Sequence, residues 1–220
     1  VFYAGLAPVF GVGTGADGSH DFYGVVSPDR LTTLLQRVLD ENQLLSDYGI
    51  RSLSKEYEER PYSYYVNGEA TTVTYMPAES QNRMFGGNSN WRGPIWFPFN
   101  FLFLQGLLAY NAHFGEKLRV EFPTGSGNQM SLGDVAGELA NRLTSIFLTD
   151  ESGQRPVFGE NDYFATDPYW KDLVPFYEYF DGDNGRGCGA SHQTGWTATV
   201  ALMLQYGGGV RFNTVGGKSV

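Results

Sequence analysis

Apolar residues recur with a helical period in four separate stretches of the chain. Leu31, Leu34, Leu35, Val38 and Leu39 fall at i, i+3, i+4, i+7 and i+8, one stripe with polar residues opposite. Ser27 stands where an N-cap belongs and Pro28 at the first helical position, so an amphipathic, outward-lying helix starts there. The stretch Ile95–Tyr110 (IWFPFNFLFLQGLLAY) is apolar on nearly every face, which predicts a helix buried all round. Its Pro98 falls in the first turn, where a missing N–H costs little. From about Ser131 to Leu148, residues Leu132, Val135, Leu139, Leu143, Ile146 and Phe147 form one stripe again, and Ser131 with Asp134 resembles a capping box. The last stretch, Thr194–Tyr206, is once more almost wholly apolar.

The long helices thus alternate outer, inner, outer, inner. An all-α toroid, with an inner ring wrapped by an outer ring, produces that alternation, whereas a four-helix bundle gives four similar stripes. A double ring of about twelve helices needs well over 300 residues at average helix length, so this chain supplies roughly half. Residues 1–27 read as glycine-rich loop. Residues 46–90 carry no helical period and form a long excursion, within which Ala70–Tyr75 (ATTVTY) reads as a short strand.

Charge narrows the partners. Fifteen Lys and Arg against 24 Asp and Glu give a net charge of −9, which argues against nucleic acid and against an anionic membrane surface. No apolar run reaches the roughly 18 residues of a spanning helix. The single Cys188 excludes an internal disulfide framework and a Cys-based zinc site. There is no Asn-x-Ser/Thr sequon, and with the lone cysteine this favours a cytoplasmic location. Beginning at Val1 and showing no signal peptide, the sequence reads as a processed form or a piece of a longer one. Aromatics at 15% beside 29 glycines suit a cleft that stacks on flat, hydroxylated ligands, or equally a β-rich fold with many turns.

Three stretches could carry chemistry. In Asp172–Gly189 (DLVPFYEYFDGDNGRGCG), Glu178 lies within the rings Phe176, Tyr177, Tyr179 and Phe180. A carboxylate partly desolvated by rings suits general acid or base work, and the glycines after it let a ligand approach the backbone. The plainer alternative is an acidic turn. Asp181, Asp183 and Gly185 hint at a calcium loop, but Gly185 and His192 stand where that pattern wants Asp or Asn and Glu, so no metal is expected. In Asn88–Phe97 (NSNWRGPIWF), Trp91, Arg92 and Trp96 surround Gly93-Pro94 at the mouth of the buried helix. Trp stacks on sugar faces and Arg offers a planar fork of donors, unless the two simply clasp one another. In Cys188–Ala198 (CGASHQTGWTA), His192 and Trp196 are substrate-contact candidates, and Cys188 reads as a packing residue. No nucleophile elbow and no phosphate-cradling loop is present, and no cofactor is expected.

Four separated motifs in one order resemble glycoside hydrolase family 63: Tyr48–Ser54 (YGIRSLS), Asn90–Trp96 (NWRGPIW), Phe176–Gly189 and Gly195–Leu204 (GWTATVALML). Trehalases show a weaker likeness. The resemblance implies an (α/α)6 toroid, with residues 1–220 as the C-terminal portion of its catalytic domain, hydrolysing α-glycosidic bonds with inversion. It implies Glu178 as the general base, with Trp91, Arg92 and Trp96 lining the sugar pocket and Trp196 near its floor; Tyr177 and His192 join them as substrate-binding candidates. The substrate would be an oligosaccharide or small α-glycoside. Inversion needs a second carboxyl roughly 6.5–9.5 Å from the first. Of Asp17, Asp21, Asp29, Asp40, Glu41 and Asp47, none has the family acid's context, so the acid is expected upstream, in a missing N-terminal part of the same polypeptide. The 220 residues alone are then expected to be inactive. A non-catalytic carbohydrate-binding or scaffold domain and a trehalase-like hydrolase are the alternatives.

Overall fold

The computed structural model describes residues 12–14, 21–23, 26–82, 89–151, 153–192 and 194–207. The four periodic stretches are helical. They form α1 (Pro28–Val38), α2 (Phe97–Phe114), α3 (Leu132–Ser145) and, after the short α4 (Asp162–Thr166), a broken pair α5 (Thr194–Thr197) and α6 (Val200–Gly207). The capping box at α3 forms: Ser131 Oγ accepts from the Asp134 N–H at 3.1 Å and donates to its carboxylate at 2.7 Å. Ser27 adopts the extended cap conformation but makes no side-chain cap bond. Helix α2 starts at Phe97 rather than Ile95, because Ile95 is held in extended pairing with Arg51 on one side and Phe180 on the other.

Helix α3 carries the core. It packs against both α2 and α6 and buries Leu132, Val135, Ala136, Leu139, Ala140 and Leu143. The expectation that α2 is buried all round does not hold within this chain. Phe97, Asn100, Leu104 and Leu107 are inside, but Phe99 and Leu102 are 61% and 66% exposed. On α6 Val200 and Met203 are buried while Leu202 and Leu204 are exposed. The amphipathic helix covers one flank of each apolar helix, and no described element covers the other.

All-α is also too narrow a description. Among the described residues, five antiparallel strand pairs decorate the helices: β1 (Val12–Thr14) with β2 (Asp21–Tyr23), β3 (Leu45–Ser46) with β4 (Gly49–Ile50), β5 (Tyr62–Val66) with β6 (Glu69–Val73), β7 (Arg119–Glu121) with β8 (Gln129–Ser131), and β9 (Tyr179–Phe180) with β10 (Gly187–Cys188). The expected strand at Ala70–Tyr75 is β6. Its hairpin closes through Asn67-Gly68, both at positive φ, the two-residue turn whose twist suits a hairpin.

Three distant segments meet behind β9. The Ile95 N–H donates to Phe180 O at 2.8 Å and the Phe180 N–H returns to Ile95 O at 3.0 Å. Buried Arg51 donates through Nε to the Tyr75 hydroxyl (3.0 Å) and through Nη2 to Asp183 Oδ1 (3.1 Å), and its Nη1 to Leu45 O. Tyr75 and Lys55 donate to the same Asp183 oxygen at 2.9 and 3.2 Å. Burial alone pushes the Asp183 carboxyl up, but these three donors outweigh it and hold the group below the usual carboxylate range. Gly182 lies so close to the other strand that a Cβ there would sit 2.5 Å from Gly93 O.

Because the folded pKa of Asp183 is depressed, its stabilisation is present above the unfolded value near 4 and is lost as pH falls through the lower folded value. Asp183→Asn is expected to cost roughly 2 kcal/mol at pH 7, with the gap to wild type narrowing below about pH 4. Urea midpoints across pH check this; a gap independent of pH would contradict it. Gly182→Ala is expected to cost about 1–3 kcal/mol, since backbone and not a side-chain tip must yield, read as a lowered melting temperature.

Candidate active site

The β9–β10 hairpin presents Glu178. Phe180 enters the main core against Phe97 and Phe147, while Tyr179 enters a second cluster with Trp96 and Cys188. Just before them, Glu178 extends the hairpin by one more rung: its N–H donates to Ala190 O at 3.0 Å. The Ala190 N–H donates back to the carboxylate Oε2 at 3.2 Å, and Ser89 Oγ donates to Oε1 at 2.9 Å. The side chain is half-buried. Gly189, at φ +71°, makes this seat possible: a Cβ there would stand 2.8 Å from Glu178 Oε2 and 2.6 Å from the Tyr179 ring.

A stack of aromatic residues starts from Tyr179, the residue after Glu178. Trp91 lies on Trp96 with centroids 3.9 Å apart and planes 2° from parallel, and Trp96 lies on Tyr179 at 4.7 Å. Trp196 tilts against Trp96 at 5.6 Å, and Phe99 meets the Trp91 face edge-on at 5.2 Å. The layers differ in access. Trp96 is fully buried and donates its indole N–H to Asn90 O at 2.8 Å. Trp91 is half-buried and Trp196 is 43% exposed, so these two form the rim. Arg92 is only 2% exposed and donates to Asn90 Oδ1 (3.2 Å) and Ser80 Oγ (2.7 Å). Burial pulls its pKa down. In this chain Arg92 and Trp96 therefore support the rim from beneath.

Tyr177 and His192 lie to one side. The Tyr177 ring packs over Gly187, and the Phe176 N–H donates to His192 Nδ1 at 3.1 Å. Two cavities share Tyr177 and Phe164. One, about 560 Å³, holds Glu79, Glu160, Asn161 and Arg186; the other, about 540 Å³, is lined by Tyr163, Trp170, Leu173, Val174, Pro175, Ser191 and His192. Glu178 lines neither; its carboxylate is tied to Ser89 and Ala190 and stands next in sequence to Tyr179, on which Trp96 stacks, while His192 lines the second cavity. The glycine-rich loop does not offer its backbone to a ligand as expected: Gly182, Gly185 and Gly187 are filled by Gly93, Tyr48 and Tyr177.

The remaining ionisable groups have internal employment. Burial pushes the Cys188 thiol up to about 12, and the Tyr179 hydroxyl likewise. Asp181 is buried and accepts from the Asp183 N–H at 2.8 Å, while Asp183 serves Arg51. Among the described residues no group of three or more His, Cys, Asp or Glu side chains could hold a metal ion, and no helix is long and apolar enough to cross a membrane. Of the candidate acids, Asp40 accepts from Asn42 and Gln43, and Glu41 and Asp47 face Arg142. Asp29 stands in the first turn of α1. Asp17 and the side chain of Asp21 lie outside the described residues. Sequence reasoning missed Ser89 and Ala190, whose contacts with Glu178 span 89 and 12 positions along the chain. It passed over Asn90 too, although Asn90 opens the NWRGPIW motif.

Residues 24–122 match the model of the glycosyl hydrolase family 63 C-terminal domain. The uncharacterized protein YMR196W of Saccharomyces cerevisiae is 51% identical over 189 residues, covering 85% of this chain and 17% of that protein. A probable mannosyl-oligosaccharide glucosidase of Schizosaccharomyces pombe is 30% identical over 176 residues, and the mannosyl-oligosaccharide glucosidase of Saccharomyces cerevisiae 27% over 179; each match covers 80% of this chain and 15% of the relative. The chain thus spans 15–17% of the length of these curated relatives. Over residues 24–122 the chain is thus similar to the C-terminal domain of glycosyl hydrolase family 63.

Proposed function

We propose that this chain is part of the catalytic domain of an inverting α-glycosidase that removes an α-linked sugar, most simply glucose, from an oligosaccharide, with Glu178 as the general base. One observation carries the reading. The Glu178 carboxylate is fixed by one donor on each oxygen, Ser89 and Ala190, and the next residue, Tyr179, stacks on Trp96, against which the more accessible Trp91 and Trp196 rest. Each carboxylate oxygen has more than one lone pair, so one hydrogen bond apiece leaves capacity to take a water proton.

The chemistry then runs as follows. Trp91 and Trp196 offer apolar faces to the C–H side of a pyranose. Glu178 deprotonates a water that attacks the anomeric carbon from the side opposite the leaving group. The C–O glycosidic bond breaks, and a second carboxylic acid, supplied from elsewhere in the polypeptide, protonates the departing oxygen. The exposed apolar flanks of α2 and α6 belong, in this reading, against further helices of an (α/α)6 ring. Two relatives that bear the name mannosyl-oligosaccharide glucosidase support the substrate class.

Glu178→Gln in the full-length protein is expected to lower kcat about 10²–10⁴-fold, the usual worth of a general base, while the fold is kept. Glucose release from an α-glucosylated oligosaccharide measures it, and near-normal turnover would reject the assignment. The 220 residues alone are expected to show no turnover, since they supply the base without its partner acid; measurable hydrolysis by them would reopen Asp17 and Asp21.

A further inference from the structure

The Glu178 carboxylate is held from two sides that belong to different parts of the chain. Ser89 comes from the segment entering NWRGPIW, and Ala190 from the loop that follows β10. Whether the two donors converge on one carboxylate depends on how that segment sits against the hairpin. A third segment, residues 76–80, touches both.

Toward NWRGPIW the contacts are dense. The Met76 N–H donates to Arg92 O at 2.6 Å, and Asn90 Nδ2 donates to Met76 O and Ala78 O at 2.7 and 2.6 Å. Ser80 Oγ accepts from Arg92 Nη2 at 2.7 Å. Toward the hairpin there are two ties. The Gly182 N–H donates to Pro77 O at 2.9 Å, and Arg186 grips Glu79 with both arms of its fork, Nη1 to Oε1 at 3.2 Å and Nη2 to Oε2 at 2.7 Å. Arg186 immediately precedes β10, and its carbonyl accepts from the Asp181 N–H at 2.8 Å, so it is rigidly part of the loop that orders the strand pair. The Arg186 fork holds the Glu79 carboxyl below the usual carboxylate range.

We propose that Glu79 is a positioning residue: through Arg186 it locks the β9–β10 hairpin onto the 76–80 brace, so that Ser89 and Ala190 meet on Glu178. This rests on the reading of Glu178 as the base. The pair is partly exposed, and exposed ion pairs contribute on the order of 0–1 kcal/mol to stability. A merely structural Glu79 would therefore shift the melting point slightly and leave kcat alone. A small displacement of a catalytic group, by contrast, is costly in rate.

The test uses the full-length polypeptide, with kcat, KM and melting temperature measured on an α-glucosylated oligosaccharide for Glu79→Gln, Glu79→Asp, Arg186→Lys and Glu178→Gln. Glu79→Gln is expected to lower kcat roughly tenfold or more with KM within about twofold and a melting temperature within a few degrees of wild type. Glu79→Asp keeps the charge and is expected to recover most of the rate. Arg186→Lys loses the fork and is expected to behave like Glu79→Gln. Should Glu79→Gln fail to fold, the Arg186→Lys result decides alone. Wild-type kcat in Glu79→Gln or Arg186→Lys, with Glu178→Gln inactive, would overturn the positioning role only. A raised KM with kcat unchanged would also overturn it, by making Glu79 a substrate contact through the cavity it lines. Full activity in Glu178→Gln would overturn the base assignment itself.

Discussion

The reciprocal hydrogen bonds between Ile95 and Phe180 are the joint on which the site hangs. Ile95 follows directly on the Trp91–Pro94 loop, and Phe180 lies two residues after Glu178, so this one rung sets the aromatic stack and the carboxylate in a common frame. Behind the rung, buried Arg51 reaches Asp183 and Tyr75 and so ties the YGIRSLS segment to the same frame. A buried guanidinium is tolerable only with its donors satisfied, and those contacts, with Leu45 O on Nη1, supply acceptors from three separate segments. Breaking the arrangement at any one of them leaves a buried donor of that charge unsatisfied.

Packing then explains residue choices that look chemical from the sequence. The glycines after Glu178 suggested a loop open to ligand, yet they are close-packing positions: Gly182 against Gly93, Gly185 against Tyr48, Gly189 against the Glu178 carboxylate. Arg92 and Trp96 behave similarly. Their positions beside Trp91 suggested a sugar-facing wall, while their burial makes them the foundation on which Trp91 rests. The groups left accessible above these supports are fewer than the motifs contain: the Glu178 carboxylate with its two donors, and the indoles of Trp91 and Trp196.

Much of this was legible in advance, and the reasons differ by element. The helices α1, α2 and α3 declare themselves through a 3.6-residue period and, at α3, through Ser131 and Asp134. Glu178 stood out as a lone carboxylate among four rings, with an acidic turn as the alternative, and the structure seats it between Ser89 and Ala190. Apart from β6, the strands were not: eight of them are two or three residues long, too short for an alternating pattern, and the bridges that join Arg51, Ile95 and Phe180 link distant segments. The exposed flanks of α2 and α6 were not legible either, since an all-apolar helix signals burial without saying what supplies the cover. Ser89, Ala190 and Glu79 escaped for the same reason, as each acquires its role only from contacts that span 12 to 107 positions along the chain.

The central claim, that Glu178 draws a proton from water on the face opposite the leaving group, has a stereochemical consequence. The anomeric form of the first sugar released by the full-length protein from an α-glucosylated oligosaccharide, followed by proton NMR before mutarotation, tests it most directly. β-Glucose is the expected initial product. Initial release of α-glucose would mean retention through a covalent intermediate and would contradict it.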